Sequence, residues 1–345
     1  MNFPGRRYSL DALFLLLLLT APALASAQQC EQVLKQNRIH LIISQAPGGG
    51  YDQYARMLRE ILSEDFGART SIQYSTTAQG RLARQQVSGS SEGAITVGLF
   101  NSEVFTHPLV NDPTVSLDNY HVLGFLTEEP KAWLATRPLD ELLRKNDLFV
   151  AGTTDAQGTL FRLVLPSFLL GMDLRIVPGF SGQSELKISL LRKEIDVMAS
   201  SLTSILRAAD ETARPVLLLS DAPDPAIPDV PYLAGKDGIV DHLAREPGIP
   251  GARERLQFAR LATEVAKSRR VLMVSSQLDA PLADCLSQTF EAILRGNKLK
   301  ALADQVNRPI QPLGPLEAAV KMRELQASGA ALRDELQGWY SAALR

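Results

Sequence analysis

The chain has 345 residues, with 36 basic and 38 acidic side chains for a formal charge of −2. Acids and bases are interspersed, so neither a nucleic-acid-binding tract nor an acidic disordered tail is expected. The four histidines, His40, His107, His121 and His242, lack metal-ligand spacing, so neither a metal nor a cofactor is expected.

Arg6 and Arg7 precede the apolar run "ALFLLLLL", and "ALASA" ends in an Ala-x-Ala pattern. Residues 1–27 therefore read as an export signal cleaved after Ala27. The run is too short to span a bilayer. A lipoprotein site at Cys30 is disfavoured, because Gln29 stands where a small residue is needed. The mature chain is expected to be soluble and periplasmic. In that oxidising space Cys30 and Cys285 could form a disulfide. The alternative is one buried and one terminal thiol, and spacing alone does not choose. Residues 28–345 exceed one compact core, so two lobes are expected.

Beyond the signal the elements alternate. "IHLII" is a strand, and "PGGG" leads into a helix with Tyr54, Met57, Leu58, Ile61 and Leu62 on one face. Asp52 is placed to cap it. "TSIQYS" is a strand, "RLARQQV" a helix after Gly80, and "GAITVGLF" a strand buried on both faces. "HVLGFL", "AWLAT" and "DLFVAGTT" follow, then the helix "GTLFRLVLPSFLLG", the strand "DLRIVPGF" and the helix "SELKISLLRKE". "IDVMASS" and "RPVLLLS" precede a connector crowded with Pro223, Pro225, Pro228 and Pro231. The charged stretch 236–270 reads as a solvated helix pair or a partner-contacting face. A helix starts near Asp279 and ends near Gly296, and the tail from Leu316 is helical in pattern. This order argues for an α/β fold with largely parallel sheets.

Three strand ends run through small polar residues into a helix: "SQAPGGGYD", "AGTTDAQGT" and "VPGFSGQSE". Ligands gather at such ends, where helix N-termini expose N–H groups. The candidate ligand contacts are Gly49, Gly50, Asp52, Thr77 and Gly80 from one lobe, and Thr154, Gly158, Thr159, Ser181 and Gly182 from the other. Asp52 would hold its loop by capping. The competing reading makes each an ordinary turn, with Thr154 and Thr159 as helix caps and Ser181 stabilising its own turn. Arg81 and Arg162 could pair with charge, although a solvent-facing helix position suits them better. About four charge-assisted bonds of roughly 1.5–3 kcal/mol each, less a closure cost, would give about micromolar affinity for a carboxylate.

The chain resembles the substrate-binding proteins of tripartite tricarboxylate transporters, the Bug family. Pro47, Gly48, Gly49, Asp52, Ala55 and Arg56 are similar to its Pro-Gly-Gly…Asp…Ala-Arg opening, and "SEGAITVGLFNS" resembles its Asp-Gly-Tyr-Thr-Leu-Leu strand, shifted to Glu92 and Gly93. Val177, Pro178, Gly182, Leu190, Leu191, Asp196, Val197 and Met198 match its Val-Pro-Tyr-x-Gly…Val-Asp-Val-Met segment, and "IPDVPYLAG" its Pro-Asp-Val-Pro stretch. The resemblance implies a two-lobe Venus-flytrap fold of periplasmic-binding-protein type II. Residues 28–102 plus 216–345 would form one lobe and 103–215 the other. It also implies a small mono-, di- or tricarboxylate ligand, membrane permease subunits as partners, and a monomer. The chain departs in several places. Only Gly80, with Ser75, Thr76 and Thr77 nearby, remains of one glycine loop. Gly158 and Thr159 stand in a second loop without its histidine. Gly179 replaces a tyrosine, and Ser200 an acid.

Two other classes were weighed. "GSSEG" matches Gly-x-Ser-x-Gly, but a helix precedes it and a strand follows, the reverse of a nucleophile elbow. "PGGG" lacks the Gly-Lys-Ser/Thr of a P-loop. Asp52 and Asp196 suit capping and turn roles better than acid–base chemistry, so no catalytic residues are expected. A sensor read by a histidine-kinase ectodomain would need the same cleft.

Overall fold

A computed structural model describes residues 30–330, apart from 77–79, 90–93, 108, 110–111, 145–147, 155–158, 246–251 and 268, together with isolated positions beyond 330. The expected export signal and candidates Thr77 and Gly158 lie outside the described residues.

Helix α1 (30–36) leads into β1 (Arg38–Ile43), α2 (Gly50–Asp65), β2 (Arg69–Tyr74), α3 (Arg81–Ser88), β3 (Ala94–Asn101), α4 (Ser102–Thr106) and β4 (Tyr120–Phe125). The chain then crosses to β5 (Lys131–Ala135), α5 (Leu139–Leu142), β6 (Phe149–Thr153), a π turn (Leu160–Val164) with α6 (Leu165–Leu169), β7 (Leu174–Pro178), α7 (Gln183–Leu191), β8 (Val197–Ser201), α8 (Leu202–Ala208) and β9 (Arg214–Leu219). Helices α9 (Ile239–Arg245) and α10 (Ala252–Ala266) precede the return through β10 (Arg270–Ser275), α11 (Ala280–Arg295), α12 (Asn297–Gln305) and α13 (Pro315–Ala330).

Two five-stranded sheets result, ordered β2-β1-β3-β10-β4 and β7-β6-β8-β5-β9. Both are mixed rather than largely parallel. β10 runs antiparallel between β3 and β4, and β5 antiparallel between β8 and β9. β10 enters its sheet from the other lobe, which sets its direction.

The exchange between sheets falls later than residues 103 and 215. β4 still pairs in the first sheet, and β9 still pairs in the second. Helix α10 also belongs with the second core: Phe258, Ala259, Ala262, Val265 and Ala266 pack with Trp133, Phe161 and Leu217. Stretch 236–270 is thus a helix pair, but one that seals a core rather than lying solvated.

Each sheet is covered on both faces. Alternation along β10 sends Leu272 and Val274 to a core with α2, α11 and α12, and Val271 and Met273 to one with α3 and α13. Helix α2 buries Tyr54, Met57, Leu58, Ile61 and Leu62, as its spacing predicts. Each such side chain contributes roughly 1.5–3 kcal/mol. Cys30 and Cys285 are disulfide-bonded with a Cα separation of 5.2 Å, tying α1 to α11.

Candidate functional site

The parallel strands β1, β2 and β3 end on the same side of the first sheet, and α2 starts directly after β1's loop. Gly48 takes φ +87°, a left-handed turn that favours glycine. Gly49 is the N-cap of α2 and has no side-chain oxygen with which to cap the first-turn amides. Asp52 is buried and reaches back to the loop. Its Oδ2 accepts the Gly48 N–H at 2.9 Å, while Oδ1 accepts the Tyr74 hydroxyl at 2.6 Å and Arg56 Nε at 3.0 Å. Burial would raise its pKa, yet Tyr74, Gly48 and Arg56 together hold it below the ordinary carboxylate value. Asp52 therefore shapes the loop, and its own oxygens are engaged.

Gly50 faces cations. A Cβ there would lie 3.2 Å from Arg270 Nη2 and 3.3 Å from Arg308 Nη1. Arg270, the first residue of β10, is 2% exposed. Its guanidinium stacks 5.2 Å from the Tyr51 ring centre and 4.6 Å from that of Tyr54. Its Nη1 donates to Glu129 Oε1 at 2.9 Å, and Nη2 reaches Ser201 Oγ only at 3.5 Å. Arg308 donates through Nε to Gln53 Oε1 at 2.5 Å and through Nη1 to Ser204 Oγ at 3.3 Å. Arg207, on α8 of the second lobe, donates to the same Gln53 oxygen at 3.2 Å and to the Val306 and Asn307 carbonyls past the end of α12. Burial lowers the Arg308 pKa to about 10, with Arg207 and Arg270 adding repulsion.

Glu129 lies in the crossover between β4 and β5. Its Oε2 accepts the Thr203 amide at 3.1 Å and the Thr203 hydroxyl at 2.7 Å, so a carboxylate already occupies the start of α8. Burial opposes its charge, but Arg270 and Thr203 outweigh burial and lower its pKa. The two crossovers pair with each other: Leu126 N donates to Arg270 O at 2.9 Å, and Arg270 N to Thr127 O at 3.4 Å. Around them Arg269 meets Glu128 and Glu264 at 2.6 Å each, and Lys131 of β5 meets Glu103 of α4 in a buried pair.

The structure therefore places Gly50 beside Arg270 and Arg308 at the junction of the lobes, with Gly49 as the α2 cap and Asp52 holding the loop from within the first lobe. Gly80 takes φ +78° at the start of α3, with its Cβ position 2.8 Å from Ser44 Cβ, so it packs on the first residue of β1's loop. In the second lobe, the amide and hydroxyl of Ser181 both donate to Glu185, within its own turn, at 2.6 and 2.7 Å. Gly182 is the extended N-cap of α7. Thr159 is buried at the N-cap of the π turn, and Thr154 is half-buried at the end of β6. Arg162 is buried rather than solvent-facing, and its Nη2 donates to Thr153 Oγ1 at 2.9 Å. Asp196 accepts from Arg137 and from the Val150 amide, both in the second lobe.

Sequence reasoning missed Arg207, Arg270, Arg308 and Glu129. The available signal was "SRRVLMVS", two arginines opening an apolar β-type run, which the charged-helix reading absorbed. Among the described residues, no group of three or more His, Cys, Asp or Glu side chains is placed to hold a metal ion, and no helix is long and apolar enough to cross a membrane.

No family model matches the sequence, and no curated protein matches it. Solved structures do match. The periplasmic binding protein BugD is similar at a TM-score of 0.67 and 17% identity, over 88% of this chain and 98% of that one. An R. palustris protein with adipate reaches 0.66 at 16% identity, over 88% and 97%. MatC from Rhodopseudomonas palustris with bound malate reaches 0.63 at 19%, over 87% and 99%. Similarity at these identities establishes the fold, that of the two-lobe periplasmic binding proteins.

Proposed function

We propose that this protein is a periplasmic solute-binding protein of the Bug type, which captures a small carboxylate between its lobes and delivers it to a tripartite tricarboxylate-type membrane permease. The observation that carries the reading is the start of α2. Its cap residue is a glycine, Asp52 is turned back to hold the loop, and side chains from both lobes converge on it. Amides at a helix start favour an anion. A ligand bonded from both lobes would stabilise the closed form through interactions the open form lacks. The matched structures with adipate and malate support a carboxylate as the ligand class. The export signal supports the periplasm. The engagement of Asp52 and Asp196 in structural hydrogen bonds argues against using them as an acid–base pair.

The test is a thermal-shift screen of mono-, di- and tricarboxylates on protein denatured and refolded without reductant, to strip carried-over ligand. A rise in melting temperature with at least one carboxylate, and none with sugars or cationic amino acids, is expected. A flat response across the carboxylates refutes the reading. Gly49→Val, which has room for a side chain, should lose binding and keep its fold; retained affinity would remove that loop from the site.

A further inference from the structure

We propose that Arg270, Arg308 and Arg207 contact the ligand's anionic end directly and select a compact dianion, one with two negative charges close together, over monoanions and over dianions whose charges lie far apart. The inference rests on the binding reading above and names the ligand chemistry of the same site.

Three guanidinium groups converge where one helix starts. Arg270 Nη2 and Arg308 Nη1 both lie within 3.3 Å of one point above Gly50, and Arg207 and Arg308 donate to the same Gln53 oxygen. The charges thus gather at one place rather than along a groove. The helix start adds its own partial positive charge. Glu129 is the carboxylate of this group, and its oxygens are already committed to Arg270 and Thr203. Buried like charges such as Arg270 and Arg308 are unfavourable unless neutralised. Arg270 is 2% exposed, its Nε has no hydrogen-bond partner, and its Nη2 points at Gly50 with only the 3.5 Å contact to Ser201. A buried guanidinium so placed has donors to give. Burial is the main cause of the lowered Arg308 pKa, and repulsion from Arg207 and Arg270 adds to it.

The contributions also divide between lobes. Arg270 and Arg308 belong to the first lobe, Arg207 to α8 of the second. Arg207 meets the like charge of Arg308 at the Gln53 oxygen they share. Its seat on the Val306 and Asn307 carbonyls draws it in, and a dianion between the three would remove the opposition. Charge at the ligand's end then governs both selection and closure.

The experiment is isothermal titration of the refolded full-length protein with acetate, malonate and adipate at pH 7.5, repeated on Arg207→Gln and Arg308→Gln. Malonate should bind at least tenfold more tightly than acetate or adipate. Each variant should lose at least tenfold for malonate and a smaller factor for acetate. Arg207 is exposed, so its variant keeps the test valid if Arg308→Gln fails to fold. Adipate binding as tightly as malonate, or malonate affinity unchanged in Arg207→Gln, overturns the proposal while leaving a carboxylate-binding protein. Absence of binding by any carboxylate in the thermal-shift screen overturns both.

Discussion

Replacing Glu129 by Gln separates two effects that a purely structural or a purely ligand-binding cluster would not combine. The side chain is buried and compensates Arg270, which is also buried. Gln can still accept from Thr203, so the main loss is the charge opposite Arg270. Removing one partner of a buried ion pair costs roughly 3–5 kcal/mol, a large share of the roughly 5–15 kcal/mol by which a domain is stable. For an m-value of about 3 kcal/mol/M, the urea midpoint should fall by about 1 M or more. The same change removes a negative charge that competes with the ligand. A unit charge about 8 Å away, at an effective dielectric of about 20, is worth about 2 kcal/mol, or roughly thirtyfold in affinity. Urea denaturation followed by fluorescence, with and without malonate, measures both effects. Glu129→Gln should be less stable when empty and bind malonate more tightly than wild type. A midpoint equal to wild type refutes the buried-pair argument. Weaker malonate binding refutes the placement of the anion beside Arg270.

The Cys30–Cys285 bond closes a loop spanning 255 residues, worth about 5 kcal/mol on loop-entropy grounds, less what helix α1 regains by fraying; a Cys30→Ser/Cys285→Ser variant within 1 kcal/mol of wild type in urea would contradict this. Glu264 has its pKa lowered to about 2, because Lys267, Lys321 and Arg269 outweigh its burial. A carboxylate depressed in the folded state stabilises it above the unfolded value near 4.5, and the contribution is lost as pH falls from there through 2. With a third of the side chain exposed, the gain is about 1–2 kcal/mol after screening. Glu264→Gln should therefore be less stable at pH 7 and converge on wild type near pH 2, and parallel stability curves would refute the assignment. Gly80→Ala places a Cβ against Ser44 at positive φ, and should cost about 1–2 kcal/mol while weakening carboxylate binding through β1's loop; unchanged affinity would detach that contact from the site.

What the sequence disclosed, and what it hid, follows the range of the interactions. The β1 loop was legible because its signals are local: alternation at Ile39, Leu41 and Ile43, glycines where φ turns positive, and Asp52 four residues from the amide it holds. Ser181 and Glu185 form another four-residue contact, and there the modest reading of a turn-stabilising serine describes the bonds that form. Strand β10 was overlooked because no turn residues precede it. It follows α10 almost directly, so its apolar run merged with the charged helix before it. Its antiparallel insertion between β3 and β4 is a pairing across more than 140 residues, which no local pattern encodes. The arginines were hidden for the same reason. Arg270 meets Glu129 across 141 positions, and Arg308 meets Gln53 across 255. On helical or turn spacing alone, an arginine reads as solvated.

The late crossings explain why charge collects where it does. Had the chain left the first sheet after β3, as expected, residues 126–130 would have stayed in the second lobe. Instead β4 completes the first sheet, and the segments entering β5 and β10 lie side by side, paired through Leu126, Thr127 and Arg270. The two segments that connect the sheets run through this pair, while α13 also spans both cores, with Ala318 and Met322 in the first and Leu325 in the second. Groups on the two connecting segments, Glu129 and Arg270, keep their mutual geometry as the lobes move. Groups carried on the lobes, Arg207 on α8 and Gln53 on α2, are the ones whose separation changes. On the binding proposal above, a site built from both kinds would have a fixed cation to receive an anion and a mobile one to close over it. On that proposal the end of β1's loop, the start of α2 and the first residue of β10 act as one functional unit, although the sequence spreads them over more than 220 residues.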